Sequence, residues 1–183
     1  MPPKADAQTE GRILKAAERL LRARGEVGLT LRAVAREAGT TTPTVYKRFR
    51  NKKALRFALA EKFATQVIAE CISAPTLEEA FRSYVNFAEQ HPNQYRLLWD
   101  AWTEVLHPDD PRPFRAWVLS QLVQRFGGAP EDYSLLFYGL ILLSHGAAML
   151  LTVPGDDTAR QVVRDSFPPL LDALLRNPQV LHP

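Results

Sequence analysis

The run from Ala38 to Leu55, AGTTTPTVYKRFRNKKAL, packs a helix stop, a short helix and a new helix start so closely that it has the layout of a helix-turn-helix. Upstream, Thr30 can accept a hydrogen bond from the free backbone donors of a helix beginning at Leu31, on which Val34, Ala35 and Ala38 form one apolar stripe. Gly39 ends that helix where a left-handed residue is least costly. Thr41 can cap the next helix. There Val45 and Phe49 lie four apart on one face, which leaves Thr42, Thr44, Tyr46, Lys47 and Arg48 to the others. A short helix with an apolar back and a hydroxyl, aromatic and cationic front suits the major groove of DNA.

Charge argues the same way independently of the motif. From Met1 to Lys62 there are fifteen Lys or Arg against six Asp or Glu, whereas the rest of the chain holds eight against fourteen. The overall charge of +3 therefore conceals a basic first third and an acidic remainder, and the basic third coincides with the helix-turn-helix. A polyanionic partner, double-stranded DNA, is the expectation.

The 183 residues suffice for one domain or two small ones, and 46% hydrophobic residues can build a core without disulfides. The single cysteine, Cys71, reads as a packed thiol, with a redox sensor as the alternative. His91, His107, His145 and His182 are too scattered for local metal spacing, so neither metal nor cofactor is expected. Residues 1–8 read as a short flexible arm with no apolar core of the signal-peptide kind, which predicts a cytoplasmic protein. The apolar stretch from Leu135 to Val153 is interrupted by Tyr138, Ser144, His145 and Thr152, and it predicts a buried helix rather than a membrane span.

Three-and-four spacing recurs throughout, so the predicted fold class is all-α with about nine helices. Residues 9–52 form the predicted helix-turn-helix domain. Asn51 caps a connecting helix over 53–73, and residues 74–183 form a helical effector-binding and dimerisation domain. In that last part Thr76 and Glu79 have capping-box spacing, Gly127-Gly128 stops a helix, helix eight spans Pro130 to Thr152, and Pro168-Pro169 should bend the ninth helix, which starts at Asp156 or Asp157. Helix eight is apolar on nearly every side and needs more cover than so small a body supplies. A second copy packed through helices eight and nine would supply it, through Leu136, Leu140, Leu143, Ala147, Val163, Phe167, Leu170 and Leu174.

Residues 9–62 resemble the N-terminal domain of the tetracycline-repressor (TetR) family of bacterial transcription regulators. The matching residues are Ala35 and Ala38-Gly39, Thr44-Val45-Tyr46 and Phe49, then Asn51-Lys52 with Ala54-Leu55. The resemblance implies that Thr41, Thr42, Thr44, Tyr46 and Lys47 face DNA and that Lys52 grips phosphate at the start of the fourth helix. It also implies a helical body that dimerises and takes up a small-molecule effector. Pro43, Arg48 and Lys53 depart from frequent family choices by adding charge or removing freedom. His91 to Trp99 and Ser144-His145-Gly146-Ala147 are similar to a TetR subgroup named for a Trp-His-Gly motif, with Ser144 standing where the name has tryptophan.

Read residue by residue, Thr30, Arg32 and Arg48 join the DNA-facing set, Arg48 through phosphate and Arg32 either through phosphate or as a solvated side chain. For the effector, Phe63, Phe87, Trp99, Trp102, Tyr138, His145 and Met149 are the aromatic, soft or polar candidates, and their largely neutral character favours an apolar or aromatic molecule. Taken alone, each of them reads more readily as core, His145 as a hydrogen-bonded core histidine. A helical enzyme or carrier is the competing class, but no nucleophile-base pair supports it; a ligand-independent architectural DNA protein is the other alternative.

Overall fold

The computed structural model describes residues 4–105, 113–155 and 157–178, and among them the chain is all-helical. The α-helices are α1 (Lys4–Arg24), α2 (Leu31–Glu37), α3 (Thr42–Arg48), α4 (Lys52–Ile72), α5 (Leu77–Gln90), α6 (Pro92–Val105), α7 (Pro113–Phe126), α8 (Ser134–Thr152) and α9 (Asp157–Arg176). Two of these bounds differ from the sequence expectation, the start of α1 and the start of α8. The first helix begins at Lys4, so residues 4–8 are helix rather than arm. Residues Pro130–Tyr133 form a 3-10 turn ahead of α8, and α9 runs on through Pro168 and Pro169 to Arg176.

The chain divides into two compact units. Unit 1 joins α1, α2, α3 and α4 as far as Thr65 with α6. Its core holds Ile13, Ala17, Leu21, Leu29, Val34, Val45, Phe49, Leu55 and Leu59, with Tyr95 and Leu97 from α6. The local signals form as their residue types dictate. The Thr30 hydroxyl accepts the Ala33 N–H at 3.1 Å and Asn51 Oδ1 accepts the Ala54 N–H at 2.9 Å. After α2, Gly39 takes φ +60°, and the Thr40 and Gly39 N–H groups close onto the Ala35 and Arg36 carbonyls at 2.9 and 3.2 Å. A side chain at Gly39 would be strained there, which is why the turn needs this residue.

The attachment of α6 crosses the expected domain boundary at residue 74. Asn93 Nδ2 donates to the Leu21 carbonyl at 3.2 Å, serving a carbonyl in the last turns of α1, and Gln94 Nε2 donates to Glu18 Oε1 at 3.2 Å. Glu18 also meets Arg22 at 3.1 Å and accepts from Lys62.

Unit 2 comprises the end of α4 from Gln66, then α5, α7, α8 and α9. α8 packs on α5 and α9 around Phe81, Val85, Val118, Leu122, Leu136, Leu140, Leu151, Phe167 and Leu171. Thr76 caps α5 through the Glu79 N–H at 3.2 Å. Together with its preceding turn, α8 is long and apolar enough by composition to cross a membrane, but one side of it is the core of this unit. Leu135, Tyr138, Leu142 and Leu150 form its uncovered side, with Val153 exposed just past its end.

Candidate nucleic-acid interface

α3 presents the two-sided helix that its sequence predicts. Val45 and Phe49 are buried in unit 1, while Tyr46 is 54% exposed and Lys47 is exposed. Thr42, Thr44 and Arg48 are half-buried. Thr41 Oγ1 accepts the Thr44 N–H at 3.3 Å and lies 2.8 Å from Thr44 Oγ1, so the two hydroxyls fix the first turn and each other. Pro43 sits inside that first turn, where its missing N–H leaves no bond unmade. Lys47 and Arg48 occupy the last turn, where cations complement the helix dipole. On α2, exposed Thr30 and Arg32 sit at the cap and the first turn.

Lys52 is placed as expected at the first residue of α4, but its ammonium is already engaged. Nζ donates to the Glu26 backbone carbonyl at 3.1 Å and lies 3.9 Å from Glu26 Oε1. Arg56 Nε reaches the same carboxylate oxygen at 3.0 Å. Sequence reading missed Glu26 and Arg56 because the former stands in a three-residue 3-10 turn, Glu26–Gly28, far away in sequence from α4. The available signal was an acid in a short Gly25-Glu26-Val27-Gly28 turn ahead of a basic stretch.

The expected effector residues are divided between the two units. Phe63 is fully buried and Trp99 half-buried in unit 1, whereas Phe87, Tyr138, His145 and Met149 belong to unit 2; the Trp102 side chain lies outside the described residues. Tyr138 is largely exposed, edge-on to Phe137 at 5.3 Å. Burial holds the His145 imidazole below its usual pKa. Unit 2 itself has two adjoining open clefts. One, of about 500 Å³, is lined by Glu70, Ser73, Glu79, Arg82, Ser83 and Asn86 among others. The other, of about 140 Å³, adds an apolar floor of Val85, Leu151 and Phe167, with Arg82, Asn86, Glu89 and Arg164 at its edge. Arg82 pairs with Asp172 at 3.4 Å and Arg164 with Glu89 at 2.6 Å. Aromatics at helical spacing mark core as readily as cavity wall, and here the core claimed Phe63 and Phe87.

The expected dimer residues divide between core and surface. Leu136, Leu140, Ala147 and Phe167 are buried within unit 2, Leu143, Val163 and Leu174 are half-buried against that core, and only Leu170 of the set is exposed. The reason is that α8 has two apolar sides, and the one carrying Leu136 and Leu140 packs within the same chain. Cys71 is buried, and burial with the neighbouring Glu70 charge pushes its thiol up to about 12, so it is a packed, protonated thiol.

Residues 13–59 match the family of bacterial regulatory proteins described as the tetR family. The whole fold is similar to a TetR from Acinetobacter baumannii AYE solved in complex with minocycline, at 20% identity and TM-score 0.72 over 95% of this chain and 98% of that one. It is also similar to the transcriptional regulator SCO7222, a TetR from Streptomyces coelicolor, at 22% identity and TM-score 0.67 over 94% and 98%. A third similar structure is the multidrug binding protein EbrR complexed with ethidium, at 22% identity and TM-score 0.57 over 95% and 99%. No curated protein matches the sequence.

Proposed function

We propose, from the premise that residues 13–59 are the N-terminal domain of a tetR-family bacterial regulatory protein, that the chain is a cytoplasmic DNA-binding repressor. It grips an inverted-repeat operator as a homodimer and releases it when a small, largely apolar or aromatic molecule binds unit 2. The front of α3 carries this reading. Tyr46 and Lys47 stand out from a helix whose back is locked by Val45 and Phe49, the arrangement that reads base edges in a major groove. Thr42 and Thr44 line the same helix; Thr30, Arg32, Arg48 and Lys52 supply phosphate contacts around it.

The dimer reading is supported by the uncovered side of α8. Leu135, Tyr138, Leu142 and Leu150 recur at helical spacing, Val153 is exposed just past the helix end, and Val162 and Leu170 are exposed on α9. Such a continuous apolar stripe is what two copies bury in a four-helix bundle. An effector is accommodated by the clefts beside α5, whose apolar floor of Val85, Leu151 and Phe167 suits an apolar ring and whose rim of Arg82 and Asn86 can orient it. Two similar proteins hold a small molecule, minocycline in one and ethidium in the other.

Selection of bound duplexes from a random-sequence pool with the purified chain tests the reading. Recovery of an inverted repeat with half-sites about 34–36 Å apart or somewhat more supports it. Equal retention of all sequences at matched salt replaces it with an architectural DNA protein.

A further inference from the structure

The Lys52 ammonium shares its counter-charge. The Glu26 carboxylate oxygen that lies 3.9 Å from Lys52 Nζ lies 3.0 Å from Arg56 Nε, one turn further along α4. That closer approach is out of line for a hydrogen bond, and Arg56 Nε is a buried donor with no acceptor. Arg56 Nη2 in turn lies 3.8 Å from Asp100 Oδ2 on α6. One carboxylate thus serves two cations, and one of those cations has a second carboxylate within reach on another helix of the same unit.

We propose that Arg56 is a positioning residue for the phosphate contact of Lys52: it takes up the Glu26 carboxylate when Lys52 turns to DNA, and Asp100 competes for its guanidinium. The inference rests on the reading of Lys52 as a phosphate contact. To reach DNA the ammonium must leave the Glu26 carbonyl and carboxylate, which stranded alone would repel an incoming phosphate. Arg56 removes that obstacle, because a small rotation of the carboxylate gives its buried Nε the acceptor it lacks, and an unmade buried hydrogen bond is costly. When Arg56 is drawn to Asp100, Glu26 is left to Lys52 and fewer molecules present a free ammonium. α6 therefore has an electrostatic hold on the start of α4.

Binding of the full chain to a labelled random-sequence duplex of about 30 base pairs, followed by anisotropy across about 50–300 mM KCl, tests this. Lys52→Ala is expected to reduce the slope of log affinity against log salt by about one. Arg56→Gln is expected to lower affinity about 2- to 5-fold at low salt, and Glu26→Gln to raise it by a similar factor. The double variant Arg56→Gln/Glu26→Gln should bind as tightly as Glu26→Gln alone, Asp100→Asn should strengthen binding, and Arg56→Gln should have no effect when Lys52 is already Ala. An Arg56→Gln loss that persists in the Glu26→Gln or Lys52→Ala background overturns the inference, since Arg56 is then an independent contact or a structural prop. Glu26 is exposed enough for its Gln variant to fold even where Arg56→Gln does not, and its gain must then vanish in the Lys52→Ala background. An unchanged slope in Lys52→Ala overturns the phosphate reading itself; a reduced slope with no coupling to Glu26 overturns this inference alone.

Discussion

Gln94 of α6 donates its side-chain nitrogen to Glu18 of α1 at 3.2 Å, although the two stand 76 positions apart. Gln94 is 1% exposed and its Oε1 already lacks a donor, so Glu18 is the one partner its amide has among the described bonds. Lys62 and Arg22 converge on the same carboxylate. Glu18→Ala would strand the buried amide and leave two cations without their carboxylate. We expect a loss of about 1–3 kcal/mol in urea denaturation, and a loss below about 0.5 kcal/mol would show that the network is dispensable.

Base reading by α3 should be separable from stability. Tyr46→Ala and Lys47→Ala remove exposed side chains and leave Val45 and Phe49 in place. Each is expected to weaken binding to the selected operator by about 1–3 kcal/mol while leaving random-sequence DNA binding less affected. Titrations on both duplexes measure the difference, and equal weakening on the two would assign these residues to phosphate.

The two sides of α8 predict opposite outcomes for one kind of change. Leu142 is 72% exposed and Leu140 is 0% exposed. Leu142→Asp should therefore yield a folded monomer in analytical ultracentrifugation, whereas Leu140→Asp should unfold unit 2 by burying an unpaired charge. A wild type that sediments as a monomer at micromolar concentration removes the basis for the first expectation.

His145 should make stability depend on acidity in a defined direction. Burial lowers its pKa in the folded chain below the ordinary histidine value near 6.5. Above that value both states are neutral there and the contribution is complete; as pH falls through the ordinary value and then the folded one, the unfolded chain takes the proton first and stability is lost. The melting temperature should thus drop less between about pH 7.5 and 5.5 in His145→Gln than in wild type. Parallel curves for the two would show that the imidazole titrates alike in both states.

What the sequence made legible was local. Thr30, Gly39, Thr41 and Asn51 act on backbone groups within a few residues of themselves, so residue type and spacing placed them, and Val45 and Phe49 followed from a single-sided stripe. Four of the expected dimer residues, Leu136, Leu140, Ala147 and Phe167, are core within the chain for a related reason. A helix apolar on two sides carries no mark saying which side meets α5 and which meets a partner, so Leu136 and Leu140 looked no different from Leu135 and Leu142. Neither Glu26 beside Lys52 nor Gln94 beside Glu18 could be read, because each is a pairing between polar residues distant along the chain.

Unit 1 is interrupted in sequence, since residues 66–90 lie between the fourth helix segment it uses and α6. During synthesis the ribosome therefore releases the helix-turn-helix, then a stretch destined for the other unit, and only afterwards Asn93, Gln94 and Tyr95. The first unit to begin emerging therefore waits for part of the other before its own chain is complete, and its late contacts are long-range ones that form slowly. The same interruption governs grafting. A chimera that transfers only residues 13–59 to a new body would leave behind the caps of α1 and the partner of Glu18, and a faithful transplant needs a second crossover carrying residues 91–105.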